Sequence, residues 1–90
     1  MAKVVRLQDA PQIGLAGRDA REIVWGGNGS AQMTFRRVVI PVPEPGAAPR
    51  TQHLHRGFEE CIHILSGTGV MRAGRGTLLP VGPGDTVLVP

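Results

Sequence analysis

One stretch, HLHRGFEECIHILSG at residues 53–67, carries most of the chemistry in this chain. His53 and His55 are two residues apart, so on a β-strand both imidazoles would project from the same face. Glu60 follows after four residues, among which Gly57 permits a bend before the next strand. If Glu60 shares the face of the histidines, two neutral imidazoles and one carboxylate converge. That combination is typical of a facial site for a divalent metal ion such as Fe(II), with positions left open for water or substrate.

The residues around this stretch predict short strands separated by turns. The sequence contains 13 Gly and 8 Pro among its 90 residues, a density that leaves little room for long helices. Apolar and β-branched segments predict strands over residues 4–7, 21–25, 31–42, 52–56, 59–65, 70–73, 77–81 and 86–89. Residues 9–19 are predicted to be an irregular lead-in, residues 74–76 a hairpin loop and residues 82–85 a tight turn. Several short strands joined by regular turns indicate an all-β sandwich or barrel.

Composition and charge exclude several classes of function. The chain carries 10 Lys and Arg against 7 Asp and Glu, a formal net charge of +3. Nine of the ten basic residues are arginines scattered along the chain, without the clustering and the aromatic residues of a nucleic-acid surface. No apolar run approaches the roughly 18 residues of a membrane span, and the N-terminus lacks a signal-peptide core. We therefore expect neither a nucleic-acid nor a membrane partner.

The cysteine content and the length bear on environment and assembly. Cys61 is the single cysteine, which excludes an intramolecular disulfide and fits a reducing, cytoplasmic environment. A chain of 90 residues has a marginal core, so further stabilisation is expected from a metal, an oligomer or more chain. An open sheet edge favours association unless it is covered. We therefore expect a homodimer, to which the predicted strand at residues 4–7 could contribute.

Three neighbours of Glu60 could be mistaken for site residues. Glu59 also follows the histidines at a plausible spacing, but adjacent strand residues face opposite ways, so only one glutamate can join them. His63 has the opposite parity to Glu60 and is expected to be a packing or surface histidine. Cys61 points away from the site as well, and we expect it to be a buried structural thiol. Core or interface positions are expected for the aromatic residues Trp25, Phe35 and Phe58.

The spacing in this stretch resembles the first motif of the cupin family. That motif runs Gly, five residues, His-x-His, three or four residues, Glu, six residues and Gly. The chain matches it without a gap from His53 to Gly67, with Glu60 at the position of the motif glutamate. Only the leading glycine differs, because six residues instead of five separate Gly46 from His53.

A second resemblance to the same family begins near the end of the sequence. The second cupin motif runs Gly, five residues, Pro-x-Gly, two residues, His, three residues and Asn. Gly84 and Pro90 match its opening. The motif histidine, the family's fourth metal ligand, would fall five positions beyond Pro90, so we expect the sequence to be cut within this motif. The whole likeness covers about residues 31–90.

The resemblance implies a jelly-roll β-barrel of short antiparallel strands. The barrel would occupy residues 31–90 and would be incomplete at its C-terminus. The first motif would lie at residues 46–67 and the start of the second at residues 84–90. An N-terminal strand and lead-in at residues 1–30 would precede the barrel.

The resemblance also implies a site and its chemistry. Carried over from the family, His53, His55 and Glu60 would bind a divalent transition metal, which could be Fe, Mn, Zn, Ni or Cu. The expected function is a metal-dependent enzyme of dioxygenase, isomerase or lyase type acting on a small, anionic organic substrate. An outward, solvated position is favoured for the arginines that could pair with a substrate carboxylate, which are Arg37, Arg50 and Arg72. The alternatives are a non-catalytic module that senses a small molecule or a metal, and a purely structural barrel.

Overall fold

The computed structural model describes residues 1–47 and 57–90. Within these ranges the regular structure consists of short strands and two single-turn 3₁₀ helices, Leu7–Asp9 and Gly26–Asn28. The strands are β1 (Gln12–Leu15), β2 (Arg18–Val24), β3 (Phe35–Val39), β4 (Glu60–His63), β5 (Gly69–Ala73), β6 (Thr77–Val81) and β7 (Thr86–Val89). The described ranges contain no α-helix and no helix that is long and apolar enough to cross a membrane. The predicted all-β fold class is confirmed.

The strands form three antiparallel sheets. β1, β2 and β3 make a three-stranded sheet in that order, while β4 pairs with β7 and β5 pairs with β6. No sheet formed by the described residues closes into a barrel, so the jelly-roll arrangement stays a prediction. The chain divides into two compact units, Met1–Ala48 with β1 to β3 and Pro49–Pro90 with β4 to β7. The predicted boundary between residues 30 and 31 also stays a prediction.

A tight hairpin joins β1 and β2 in the first unit. Its two-residue turn ends at Gly17, whose φ of +69° lies in the left-handed region that favours glycine. The register places Ile13 opposite Ala20, and Ala20 in turn lies opposite Val38 of β3. Among the described residues, Ala10 and Ala20 are the buried apolar side chains. The core that these residues form is therefore built from small side chains.

Two predictions for this unit are wrong. The predicted strand at residues 4–7 is absent, because residues 1–6 have no regular structure and Leu7 begins a 3₁₀ turn. Its β-branched residues favour a strand locally, but no described strand pairs with it, and strands are stable only within a ladder. Residues 9–19 are also not irregular as predicted, because they contain β1. Gly14 weakens the local preference for a strand, and pairing with β2 compensates for this.

An ion pair connects β2 to β3. Glu22 and Arg36 lie directly opposite each other, and Arg36 Nε donates to Glu22 Oε2 at 3.0 Å. The Glu22 side chain is only 9% exposed, whereas that of Arg36 is 46% exposed. A carboxylate so far out of water needs a partner, so Arg36 stabilises the position of Glu22.

The register between β2 and β3 is irregular just beyond this pair, between Glu22 and Val24. There the Asn28 Nδ2 donates to the Ile23 carbonyl at 2.7 Å.

β3 is an edge strand of the first sheet and is shorter than predicted. It covers Phe35–Val39 instead of residues 31–42, and all of its residues are exposed. The Met33 N–H donates to Ser30 Oγ at 3.2 Å, a local hydrogen bond that competes with strand pairing. Beyond the strand, Pro41 has no N–H to donate to a ladder, which accounts for the C-terminal limit.

Two of the three aromatic residues do not lie in a core, and the interface position expected as the alternative stays a prediction. Phe35 is 55% exposed at the start of the edge strand β3, and Phe58 is 60% exposed just before β4. Trp25 is half-buried at the end of β2. An edge strand and a strand entrance bury less surface than the centre of a sheet, which explains the exposure of the two phenylalanines.

In the second unit the strands lie where the sequence predicts them. β6 and β7 have the predicted limits, β5 begins one residue early, and β4 lies within the predicted strand at residues 59–65. Residues 74–76 form the predicted three-residue hairpin loop between β5 and β6, since Ala73 pairs with Thr77. The predicted strand at residues 52–56 lies outside the described residues.

Arg36→Met tests the ion pair on the first sheet. Removal of the guanidinium leaves the carboxylate of Glu22 without its partner, and we expect a loss of about 2 kcal/mol in the free energy of unfolding. Urea denaturation followed by circular dichroism measures this loss. Arg37→Met is the matched control, because Arg37 lies on the opposite face of the same strand and is exposed. We expect it to change stability by less than about 0.5 kcal/mol, and an equal effect of the two substitutions would contradict the role of the pair.

Candidate functional site

β4 begins at Glu60, the candidate carboxylate ligand. Along this strand Glu60 and Ile62 are half-buried, whereas Cys61 and His63 are exposed. Ile64, just after the strand, is half-buried again. Because successive strand residues point to opposite faces, Glu60 shares its face with the two isoleucines, as the sequence predicts.

The partner strand β7 continues both faces of this two-stranded sheet. Val89 lies opposite Glu60 and Val87 lies opposite Ile62, and both valines are half-buried. We call this side of the sheet the Glu60 face, and its members are Glu60, Ile62, Ile64, Val87 and Val89. The other side, the Cys61 face, consists of Cys61, His63, Thr86 and Leu88, all exposed. The Glu60 face is therefore an aliphatic surface that carries one carboxylate.

A bend at Gly57, which the sequence permits, precedes β4. Gly57 has a φ of +81°, which a residue with a side chain rarely adopts. The chain therefore changes direction shortly before Glu60. Glu59, the competing glutamate, is exposed, whereas Glu60 is half-buried. His53 and His55 lie outside the described residues, and their assignment as ligands stays a prediction.

His63 lies at a surface position on the Cys61 face. Its Nδ1 and the Thr86 Oγ1 are 2.8 Å apart in a hydrogen bond between directly opposed residues of β4 and β7. The imidazole is thus turned toward β7 and away from the face that carries Glu60. The prediction that His63 is a packing or surface histidine is confirmed, and the structure places it at the surface.

The prediction of a buried structural thiol at Cys61 is wrong. Cys61 is a free cysteine and is exposed. Leu88, directly opposite it on β7, is also 59% exposed. The preference of cysteine for buried positions is overridden here by strand parity, which turns the side chain to the more exposed face of this sheet.

The turn at residues 82–85 holds β7 beside β4. The Gly82 N–H donates to Asp85 Oδ2 at 2.7 Å, and the Asp85 N–H donates to the Gly82 carbonyl at 3.0 Å. Two further bonds of 2.9 Å join the turn to the end of β4, from the Gly84 N–H to the Ile64 carbonyl and from the Ile64 N–H to the Asp85 carbonyl. The tight turn predicted at residues 82–85 is confirmed, and the Asp85 side chain supplies one of the hydrogen bonds that close it.

The candidate ligands are of types that suit a transition metal. Within residues 1–47 and 57–90, no three His, Cys, Asp or Glu side chains are grouped closely enough to hold a metal ion. The candidate set includes His53 and His55, so it extends beyond these ranges. Glu60 itself presents a carboxylate on a half-buried aliphatic face, and carboxylate with imidazole is a donor set that several divalent metals accept. By residue type alone, the predicted set of His53, His55 and Glu60 would suit a divalent metal, and its assembly stays a prediction.

A hollow at the tip of the β5–β6 hairpin is a separate feature of the second unit. It has a volume of about 540 Å³ and is lined by Arg72, Gly74, Arg75, Gly76, Thr77 and Leu78. None of these side chains is a preferred metal ligand. The hollow is therefore not a metal site.

Comparisons with known proteins do not identify a family. No family model matches the chain, and no match was found among curated proteins or among solved structures.

The reactivity of Cys61 tests the parity of β4. Because the thiol is exposed, we expect it to react with Ellman's reagent in the folded protein at a rate within about threefold of the rate in urea. The matched control is the double variant C61A/I62C, which moves the thiol by one position to the Glu60 face. That half-buried thiol is expected to react at least tenfold more slowly in the folded protein. Equal rates for the two thiols would contradict the assignment of the faces.

Proposed function

We propose that this chain is a metal-binding protein of the cupin type, in which His53, His55 and Glu60 hold one divalent transition metal. We further propose that it is a metal-dependent enzyme of dioxygenase, isomerase or lyase type that acts on a small organic substrate. One observation carries the proposal. At the spacing of the cupin motif, Glu60 begins a strand and presents its carboxylate on the half-buried, otherwise aliphatic face.

The motif glycines support the proposal. Gly67 has a φ of +79° and Gly84 has a φ of +89°. Both values lie in the region that side chains disfavour, so each glycine is required by the backbone at its position in the motif. Gly67 lies in the turn between β4 and β5, and Gly84 lies in the turn before β7. The two motif glycines thus lie in the turns that end β4 and begin β7, the paired strands beside the proposed site.

The chain's own residues would supply binding and shielding. Neutral imidazoles at His53 and His55 and the carboxylate of Glu60 would hold the ion and leave coordination positions open. The bound metal would supply Lewis-acid or oxygen-activating chemistry. Ile62 and Val87, which flank Glu60 on the same face, would limit the access of water and strengthen electrostatic interactions at the ion.

A sensing or binding module is the second candidate function, and one observation favours it. Apart from Glu60, the described members of the Glu60 face are isoleucines and valines. These strands therefore offer no second group for proton transfer beside the proposed ligand. Oxygen uptake or turnover that depends on an added substrate would support the enzyme, whereas reversible binding without turnover would support the sensing module.

Metal analysis tests the proposed ligands. We expect the purified protein to bind one Co²⁺ per chain in isothermal titration calorimetry. Substitutions His53→Ala, His55→Ala and Glu60→Gln remove one ligand each, and we expect each to weaken binding by at least about tenfold.

The controls are Glu59→Gln and His63→Ala. Both remove a potential ligand within four residues of Glu60, but the first residue lies before β4 and the second lies on the Cys61 face. We expect affinities within about twofold of the unmodified chain. Absence of Co²⁺ binding, or an unchanged Co²⁺ affinity in His53→Ala, would contradict the proposed site.

A further inference from the structure

We propose that the hollow at the tip of the β5–β6 hairpin binds the phosphoryl group of a small phosphate monoester, with Arg72 and Arg75 as its counter-charges. The ligand is an anion and the hollow holds no metal ligand, so the inference does not depend on the proposed metal site. It gives a binding role to Arg72, which is exposed on β5.

The position of the two arginines carries the first step. Arg72 lies near the end of β5, and Arg75 is the middle residue of the three-residue loop, so both belong to the same end of the hairpin. Both line the hollow, and every other lining residue also comes from this hairpin. Among the lining residues, two are cationic and none is acidic. The hollow therefore has a local excess of positive charge, which favours an anion.

The lack of a counter-charge from the chain carries the second step. Arg36 has an ion-pair partner, and the Arg21 side chain donates to a backbone carbonyl. Within residues 1–47 and 57–90, neither Arg72 nor Arg75 has an ion pair or a side-chain hydrogen bond. Residues 48–56 contain no Asp or Glu, so that stretch cannot supply a carboxylate either.

The acidic residues of the same unit lie at other places. Residues 49–90 contain three of them, Glu59, Glu60 and Asp85. The two glutamates lie at the start of β4, and the Asp85 carboxylate accepts a hydrogen bond from the Gly82 N–H. None of the three lines the hollow. The positive charge of the hairpin tip is therefore available to an anion from solution.

Open space at the hairpin tip carries the third step. A Cβ atom placed on Gly74 or Gly76 would meet no atom of the described residues within 4 Å. The volume of about 540 Å³ lies within the range of about 300–1,000 Å³ that is usual for small-molecule sites. Leu78, directly opposite Arg72 in the ladder, is 61% exposed. The organic part of an ester could therefore contact Leu78 while its phosphoryl group is held by the arginines.

The charge and shape of the phosphoryl group fit this pair of arginines. A phosphate monoester carries a charge of about −1.5 to −2 at neutral pH and has three strong acceptor oxygens. A guanidinium is planar, remains charged at every physiological pH and can donate two parallel hydrogen bonds to a phosphate. Two guanidinium groups therefore match the charge of one phosphoryl group, whereas a carboxylate would neutralise only one of them.

Nuclear magnetic resonance titration of the full chain with phenyl phosphate at low salt tests the inference. We expect saturable shifts of the Gly74 and Gly76 amide resonances, because both residues line the hollow. Benzoate presents the same ring with a single negative charge, and we expect it to bind at least about threefold more weakly. Inorganic phosphate lacks the ring that would contact Leu78, and we also expect about threefold weaker binding.

Substitutions locate the binding at the two arginines. Arg72→Gln and Arg75→Gln each remove one guanidinium, and we expect each to weaken phenyl phosphate binding by at least about fivefold. Arg75→Lys keeps the charge but loses the planar fork, so a smaller loss is expected. Arg37→Gln is the matched control, because Arg37 is exposed on β3 and does not line the hollow. Its affinity should equal that of the unmodified chain, and circular dichroism checks that all variants are folded.

The outcomes distinguish this inference from its alternatives. Absence of saturable shifts at both glycines would overturn it. Equal losses in Arg75→Gln and Arg37→Gln would also overturn it, because they would indicate unspecific attraction by the net positive charge. Equal affinities for benzoate and phenyl phosphate would contradict the phosphoryl group as the ligand. Equal affinities for inorganic phosphate and phenyl phosphate would contradict the ester and assign the hollow to the free ion. Failure of the chain to bind Co²⁺ would contradict the proposed function and leave this inference standing.

Discussion

The alternation of side chains along β4 is the constraint on which the candidate site depends. Glu60 begins the strand, so its face fixes the faces of every residue that follows. The antiparallel pairing with β7 extends this division to a second strand, which adds Val87 and Val89 beside the carboxylate. A shift of one residue would exchange the two faces and place Cys61 where Glu60 now lies. The register is held at one end by the turn at residues 82–85 and its hydrogen bonds to Ile64.

Glu22 and Glu60 both lie on the less exposed face of a sheet, but their neighbours across the ladder differ. In the first unit Glu22 is nearly buried, and Arg36 on the neighbouring strand satisfies its carboxylate directly. In the second unit Glu60 is opposed by Val89, an aliphatic residue. An ion pair across a ladder is a structural solution for a buried carboxylate. Glu22 is therefore held within its own sheet, whereas Glu60 is the proposed metal ligand because of its spacing from His53 and His55.

Local patterns predicted the second unit well and the first unit less well. Turns containing Gly74, Gly76 and Gly84 mark the limits of β5, β6 and β7. Such turns can be predicted from the glycines themselves, without knowledge of the rest of the fold. β1 was missed and the strand at residues 4–7 was wrongly predicted, because strand formation there depends on a ladder partner, which no local pattern specifies. Parity along β4 follows from the sequence alone, whereas exposure does not. Cys61 shows this difference, since its direction was predicted correctly and its burial was not.

The most direct test of the proposed centre is X-ray absorption spectroscopy on the Co²⁺-loaded protein. Two imidazole ligands with the remaining positions filled by oxygen, and no sulfur, are the expected coordination shell. Such a shell would match His53, His55 and Glu60. A sulfur ligand at about 2.3 Å would instead place the metal at Cys61, on the opposite face of β4. That result, or a shell without histidine, would contradict a metal centre on the Glu60 face.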